Sequence, residues 1–402
     1  MPTALPLLLL QSLCLLPIAA ILTKATVLTA LAAVLAALAA RRLVFPGLAG
    51  AVWSGAVVLL CYVSTLWAIV PANSLERTTQ VLGVFLLWQG LAAAAAGWSE
   101  EDRRRLSDLN LRGWLITVVL MLAGLALGLL LKSPDGVIEP LHTFRGELHR
   151  HFISKNGAVI LSITSLPVLA HVLRQRNGRL QAGAMLVILL AALLASHSSS
   201  SLNGLVCGLL VWGLHRRFPR LINTLLAYGI PVVILTMPLL LYKVDPHFVA
   251  VHVPHFPPSF YHRLVIWQFS IQHITMHPFL GWGFDAARSI PHGTDAFHHC
   301  FPVPWSPLPY EWSGQYLPLH THNAALQIWL ELGALGAVLV ALAMHSLVRH
   351  QVIGNREGKA SLMAGLITAA LAIAFEAFGV AQAWWLMLVA IAWAAVKALP
   401  RE

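Results

Sequence analysis

Charged residues are scarce in this chain of 402 residues. Asp, Glu, Lys and Arg together make up 10%, whereas 58% of the residues are hydrophobic and the mean hydropathy is +0.74. A soluble protein needs about 25% charged residues to cover its surface, so most of this chain is expected to face lipid. The shortage argues against an ordinary soluble domain and predicts an all-α polytopic membrane protein.

Cysteine is scarce as well, and the first apolar run has no basic segment of the kind that opens a signal peptide. The four cysteines support no disulfide framework, because Cys14, Cys61 and Cys207 lie in apolar runs and Cys300 stands alone in a predicted loop. The first apolar run, residues 5–22, has no basic segment before it and is followed at once by a second one. We therefore interpret it as a retained helix, with a cleaved signal peptide as the alternative.

Apolar runs of the length that crosses a bilayer, about 17–25 residues, recur along the chain. A formal net charge of +10 would suggest a nucleic-acid partner in a soluble chain. In this chain the Lys and Arg residues are concentrated on one side of the predicted membrane. With both termini inside, 17 of the 26 fall in cytoplasmic segments. We therefore predict one transmembrane domain over 1–402, in contact with membrane lipids and with no nucleic-acid partner. The twelve predicted spans, of which the second and eighth are short, are 4–22, 25–40, 49–70, 78–97, 113–131, 157–173, 180–197, 202–215, 221–241, 324–345, 360–378 and 382–397.

Two outer segments, 132–156 and 242–323, are longer than a connection between helices requires, and long loops are usually functional. Fifteen of the nineteen histidines lie in these loops or at outer helix ends. Within the second loop, residues 257–283 carry an apolar stripe at helical spacing, which predicts an amphipathic interfacial helix. Residues 284–319, rich in Pro, Trp and Tyr, are interpreted as a lid.

The stretch "LPLHTHNAALQIWLELGALG" (317–336) runs from a loop into an apolar helix. Asn323, which can cap that helix, forms a polar stripe with Gln327 and Glu331 at i, i+4 and i+8. An imidazole at the outer mouth of such a stripe suits a general base, so we take His322 as the candidate and His320 as a second one. The alternatives are interfacial capping by the histidines and structural hydrogen bonding by Gln327 and Glu331.

Several cations lie on the same side. Arg263 precedes Trp267 by four residues on the predicted interfacial helix, while Arg145, Arg150 and Lys155 belong to the first outer loop. Guanidinium groups suit phosphate, so these residues are candidates for holding an anion; snorkelling to lipid headgroups is the alternative. No D-x-D sequence occurs, so a metal-held diphosphate is not expected.

Histidine-rich loops also suggest metal or haem binding. "HHC" at 298–300 and the series His247, His252 and His255 are candidates for a transition metal, although their spacing matches no defined site. The serine run at 196–201 is a weak candidate nucleophile, because no Ser-His-Asp order is visible. Buried Glu331 and Glu376 leave a proton-coupled transporter or lipid flippase open as a different class of function.

Two blocks of sequence resemble the O-antigen ligase and O-antigen polymerase superfamily, which includes exopolysaccharide polymerases and O-linking oligosaccharyltransferases. "HRLVIWQFSIQHITMHPFLGWGF" (262–284) is similar to that family's R-x-x-x-W and h-P-x-x-G-x-G pattern, and "HTHNAALQIWLELGALG" (320–336) to its H-x-H-N-x-x-L-Q and E-x-G-x-x-G pattern. Weaker likenesses lie in "FRGELHRHFISKN" (144–156) and "STLWAIVPANSLERTTQ" (64–80). Residues 262–336 therefore form the signature region.

The resemblance implies a membrane glycosyltransferase of the GT-C-like class, metal-independent, inverting and without a cofactor. Such enzymes move a glycan from undecaprenyl diphosphate, on the periplasmic face of the bacterial inner membrane, to lipid A–core or to another glycan. By position, His322 is implied as the base and Arg263 as the diphosphate-binding cation. Ser198–Ser201 lack the basic residue that many members carry there, so Arg145 is our substitute, with Lys155 and Arg150 behind it.

A ligase that attaches O-antigen to lipid A–core and a polymerase that extends the glycan on its carrier share this site. The modest chain length and the compact loop before His320 favour the ligase. The polymerase stays the first alternative and the transporter or flippase the second.

Overall fold

A computed structural model describes residues 26–28, 30–31, 34–35, 52–130, 155–196, 198–253, 258–355 and 357–400. Most of this part is helical. Labels start at the first continuous helix. The apolar helices are α1 Val52–Ser64, α2 Pro71–Ala96, α3 Glu100–Leu130, α4 Lys155–Val172, α5 Gly178–Ala195, α6 Ser199–Arg217, α7 Pro219–Leu241, α10 Ala324–Val348, α11 Ala360–Ala374 and α12 Ala383–Ala398. Each matches a predicted span, while the first two predicted spans, 4–22 and 25–40, lie largely outside the described residues.

Five of these helices have the length and apolar composition to cross a membrane, among the residues described: Pro71–Ala96, Glu100–Ala123, Gly178–Ala195, Pro219–Leu241 and Ala324–Ile353. Four shorter apolar helices accompany them. The all-α polytopic class is therefore confirmed. The number of spans stays a prediction.

The largest core lies where α4, α11 and α12 pack together, around side chains such as Ile163, Leu366 and Leu388. Helices α6 and α11 approach most closely, because Gly204 and Gly208 form a G-x-x-x-G pair on the facing surface of α6. A Cβ at Gly208 would lie 2.9 Å from the Ala369 side chain and 3.0 Å from the Gly365 carbonyl oxygen. Small residues let membrane helices approach to backbone contact, which fixes the start of α6 beside the end of α11.

Between α7 and α10 the chain forms a compact layer of shorter elements. It consists of α8 (Pro246–His252), α9 (Pro258–Met276), a 3-10 turn (Ala286–Ser289) and an antiparallel hairpin of β1 (Ala296–Phe301) and β2 (Tyr310–Gln315). Helix α9 confirms the predicted helix but ends at Met276, before Pro278. The hairpin is not predicted by the sequence analysis, because residues 296–315 show no clear period. Cys300 therefore lies in β1 and not in a loop.

Helix α10 is not the single continuous helix that the sequence predicted. Gly333 has φ 62° and ψ −160°, which breaks the helix one residue after Leu332. The backbone groups freed there are hydrogen-bonded by residues 278–283, which we call the 278–283 loop. The four bonds are Trp282 N to Leu330 O (2.9 Å), Gly283 N to Glu331 O (2.9 Å), Ala334 N to Pro278 O (2.8 Å) and Leu335 N to Phe279 O (3.2 Å). Non-helical backbone in a membrane helix requires such internal partners.

Glycines make this insertion possible. Gly281 has φ 67° and Gly333 φ 62°, and a Cβ on either residue would lie 2.4 Å from backbone carbon of the opposite segment. The turn after α1 closes the other side, where Ile69 N donates to Trp282 O and Trp67 Nε1 donates to Leu280 O. Three of the stretches that carry the family resemblance, 64–80, 262–284 and 320–336, therefore meet at one place.

Candidate active site

His322 lies in a tight turn that opens α10. Asn323 caps the helix, because its Oδ1 accepts from the backbone N–H groups of Ala325 and Leu326, each at 3.1 Å. The Thr321 carbonyl accepts from Trp267 Nε1 at 2.9 Å, so the predicted supporting residue Trp267 anchors the turn to α9. His322 itself has φ 51°, a left-handed conformation that is uncommon for a non-glycine residue. Tertiary contacts hold this strained turn in place.

The two histidines contact each other. Their ring centroids are 4.1 Å apart, and the backbone N–H of His322 donates to His320 Nδ1 at 3.2 Å. The backbone of Ala377 acts on the His322 ring and raises its pKa, against the larger effect of burial. The Nδ1 of His322 is enclosed and has no hydrogen-bond partner among the described residues.

Both imidazoles are held in the neutral form. Burial lowers the pKa of His320 to about 4, and the charge of Arg288 adds to this. Burial lowers the pKa of His322 to about 3, with further contributions from His320 and Arg263. At neutral pH both rings are therefore unprotonated, as a general base must be. An anion bound beside them would favour the protonated ring and raise these pKa values.

Arg263 lies one turn before Trp267 on α9, on the side that faces the histidine turn. The structure thus brings the predicted base and the predicted cation together, because the Arg263 charge acts on the pKa of His322. Its guanidinium is half-buried and makes no hydrogen bond or ion pair with the part of the chain that the structure describes. Burial lowers the pKa of Arg263, and the charge of Glu376 opposes that shift. A guanidinium with free donors in a half-buried position is suited to an anionic ligand.

The polar stripe on α10 is confirmed. Asn323, Gln327 and Glu331 are all buried, and Gln327 Nε2 donates to Glu331 Oε1 at 2.9 Å. The other carboxylate oxygen accepts from Asp285 N at 3.1 Å, and Gln327 Oε1 accepts from Val380 N at 3.2 Å. Through these bonds Gln327 and Glu331 connect α10 to the chain at Asp285 and at Val380. The contacts fit the interpretation of Gln327 and Glu331 as structural hydrogen-bonding residues.

A small cleft opens beside His320. Asp285 lines this cleft and pairs with two cations, Arg77 Nε at 3.5 Å and Arg288 Nε at 3.9 Å. Sequence reasoning did not select Arg77 or Arg288. Arg77 does lie in the 64–80 stretch that resembles the family, which was a usable signal, whereas no motif marked Arg288. The lining residues are Arg77, Asp285, Arg288, Leu319, His320, Gln327, Gly379, Ala381 and Gln382.

Three predicted cations cannot be placed in this site. Arg145 and Arg150 lie outside the described residues, and Lys155 begins α4 with its side chain outside the described part. Among the described residues, the histidines proposed for a transition metal belong to no group of three or more metal-ligating side chains, and His255 lies outside that part of the chain. In the serine run, Ser198 and Ser201 hydroxyls lie 2.7 Å apart and bond each other, so they are satisfied structurally.

The comparisons with known proteins agree with this geometry. The family described as O-antigen ligase matches residues 184–341, the segment that contains Arg263, the 278–283 loop and the histidine turn. A protein of Rickettsia felis and one of Rickettsia conorii, both named "Putative polysaccharide ligase", are each 27% identical to this chain over 328 residues. Each alignment covers 81% of this chain and 74% of the relative.

These similarities support an O-antigen-ligase-like function and, with it, an enzyme of glycosyl transfer. The apolar helices indicate that it crosses the membrane several times. The chain is a multi-pass membrane protein that is similar to the O-antigen ligase family over residues 184–341 and to proteins named as polysaccharide ligases over most of its length.

Proposed function

We propose that the protein is a glycosyltransferase that moves a glycan from undecaprenyl diphosphate to lipid A–core on the periplasmic face of the inner membrane. One observation carries this proposal: the His322 ring, which burial keeps neutral and whose Nδ1 has no partner among the described residues, lies within electrostatic reach of the unpaired Arg263 guanidinium. A base and an anion-binding cation at one site are the two groups that an inverting displacement of a diphosphate needs.

The reaction is a single displacement at the anomeric carbon. The acceptor hydroxyl gives its proton to His322 Nδ1 while its oxygen bonds to that carbon from the face opposite the leaving group. The bond between the anomeric carbon and the phosphate oxygen breaks, its electron pair stays on the diphosphate, and the configuration inverts. Arg263 then faces more negative charge in the transition state than in the ground state, which is the condition for lowering the barrier.

Access to the base requires a local movement. Nδ1 of His322 is enclosed, so an acceptor hydroxyl reaches it after the ring rotates or a covering residue shifts. Catalytic contacts commonly tighten only in the substrate complex. Binding of the anionic donor would also raise the pKa of His322 from its low value, which makes the ring a stronger base when the donor is present.

A diphosphate carries more charge than one arginine neutralises. Arg145, with Lys155 and Arg150 behind it, stays our proposal for the second cation. Among the described residues, Arg77 and Arg288 lie on the His320 side of the site and are further candidates. Lipid A–core as the acceptor, the use of undecaprenyl diphosphate and the independence from metal ions belong to the same proposal.

The test is transfer by the purified full chain from a lipid-diphosphate-linked glycan to lipid A–core, comparing wild type with His322→Ala. We expect transfer by the wild type and none by the variant. The matched control is His298→Ala, which removes an exposed hairpin imidazole paired with Glu311. Transfer unaffected by His322→Ala would contradict the assignment of the base.

Deleting the gene separates the two acceptors. A ligase leaves lipid-linked polymer that is not attached to lipid A–core, whereas a polymerase leaves single repeat units. The names of the relatives, which say polysaccharide ligase, support the first outcome. A protein that moves a labelled glycolipid between leaflets but transfers no sugar would be a flippase instead.

A further inference from the structure

Glu376 lies two residues beyond α11, beside the candidate active site, and the mechanism above does not use it. Its carboxylate is half-buried, and both oxygens accept from Asn203 Nδ2, at 3.0 and 3.1 Å. Asn203 is on the first turns of α6, just before Gly204. The close glycine contact between α6 and α11 holds this amide and this carboxylate together.

The segment that carries Glu376 also contacts the catalytic histidines. The neighbouring Ala377 backbone is close enough to the His322 ring to raise its pKa, and a Cβ at Gly379 would lie 3.5 Å from His320 Cβ. Val380 N donates to Gln327 on α10. Glu376 therefore lies on the segment that contacts both histidines.

The charge of Glu376 restricts what it can bind. The described residues include no ion pair within 4 Å between Glu376 and Arg263, although the two charges influence each other. A carboxylate repels a diphosphate, so the group that contacts Glu376 must be a hydrogen-bond donor without negative charge. Two carboxylate oxygens offer about four acceptor positions, and one amide nitrogen leaves several of them open. Hydroxyl groups make short, strong bonds to carboxylates, and sugars present them in adjacent pairs.

We propose that Glu376 and Asn203 form the acceptor subsite, where they bind hydroxyls of the acceptor sugar adjacent to the hydroxyl that His322 deprotonates. This inference rests on the proposed glycosyl transfer. It assigns the acceptor to the α6–α11 side of His322 and the diphosphate to the Arg263 side.

The test measures binding to the purified full chain in nanodiscs, with two probes. One is lipid A–core isolated from cells that lack the gene, and the other is inorganic pyrophosphate. For Glu376→Gln we expect about tenfold weaker binding of lipid A–core, the size of a lost charged hydrogen bond. Pyrophosphate should bind as in the wild type or up to about threefold more tightly, because a like charge is removed. Asn203→Ala should weaken lipid A–core binding by a smaller factor and leave pyrophosphate unchanged.

The matched control is Glu311→Gln, an exposed hairpin acid paired with His298, which should change neither affinity. Lipid A–core binding equal in wild type and Glu376→Gln, absent in both, or lost together with pyrophosphate binding would overturn the subsite. Transfer assays on the same preparations keep the two proposals apart. Wild-type transfer with an unaffected Glu376→Gln affinity removes the subsite alone. A Glu376-dependent affinity without any transfer removes the proposed function and leaves a glycan-binding site.

Discussion

Replacing Gly333 by alanine tests whether the 278–283 loop is held in the break of α10. Gly333 has φ 62° and ψ −160°, a region that is essentially restricted to glycine, and an alanine forced into it costs about 1–3 kcal/mol. The added Cβ would lie 2.4 Å from the Phe279 carbonyl carbon and oxygen and 2.6 Å from Leu280 N. Because these are backbone atoms, the loop itself has to move.

Movement of the loop breaks the bonds nearest the clash. Ala334 N to Pro278 O and Leu335 N to Phe279 O are the two most directly affected, at about 1 kcal/mol each in net stability. The free energy of unfolding should therefore fall by about 3–5 kcal/mol in Gly333→Ala. Transfer activity should fall with it, since the same loop leads into Asp285 and the residues that bond Glu331.

Thermal unfolding of the full chain in detergent measures the first effect, and glycan transfer in membranes measures the second. Gly213→Ala is the matched control, because Gly213 is an exposed helical glycine with no atom within 4 Å of an added Cβ. Its unfolding temperature should equal that of the wild type or be slightly higher, because alanine in place of an exposed helical glycine raises the free energy of unfolding by up to about 1 kcal/mol. Gly281→Ala should resemble Gly333→Ala, and the double variant should lose less than the sum, because both disrupt one contact. A Gly333→Ala protein as stable and active as the wild type would refute the argument.

Four further predictions concern the site. His322→Ala should lower the transfer rate by about 10²–10⁴, the usual contribution of a general base, with expression unchanged by immunoblot; a loss below tenfold would contradict that role. Arg263→Ala should do nearly the same, while Arg263→Lys should restore part of the rate, because charge remains but the fork is lost; equal rates for both variants would argue against diphosphate binding. Transfer should persist with a chelator present, and its loss would contradict metal independence. His320 is 7% exposed, and folding lowers its pKa from 6.5 to about 4. The folded state therefore binds fewer protons than the unfolded state. The contribution of His320 to the stability of the fold is present above pH 6.5 and is lost as the pH falls towards 4. Between pH 7 and 5 this amounts to about 2 kcal/mol, and His320→Gln, followed by thermal unfolding at both values, should flatten that dependence.

The candidate site was predictable from sequence where it depends on neighbours in the chain. Asn323 as a helix cap and the buried stripe through Gln327 and Glu331 follow from helical spacing, and the structure confirms them. His322 and Arg263 were singled out by residue type and family resemblance, and the fold places them at one site. The catalytic and diphosphate-binding roles themselves stay predictions.

Other features could not be read from the chain. The break at Gly333 was missed, because a glycine inside an apolar run is equally compatible with a continuous helix. Arg288 was passed over, since a single cation in a loop gives no sign of which acid or histidine it will face. The hairpin at 296–315 was missed because short aromatic strands lack a period strong enough to distinguish them from irregular structure.

Local sequence specifies the class of protein, the approximate positions of its apolar helices and the polar start of α10, because hydrophobicity and helical period act over a few turns of chain. Three contacts arise only when distant segments fold together: the entry of the 278–283 loop into α10, the pairing of Arg77 and Arg288 with Asp285, and the bond from Asn203 to Glu376, 173 residues away. These contacts depend on backbone approach at glycines and on charge pairing across segments, which no local pattern specifies.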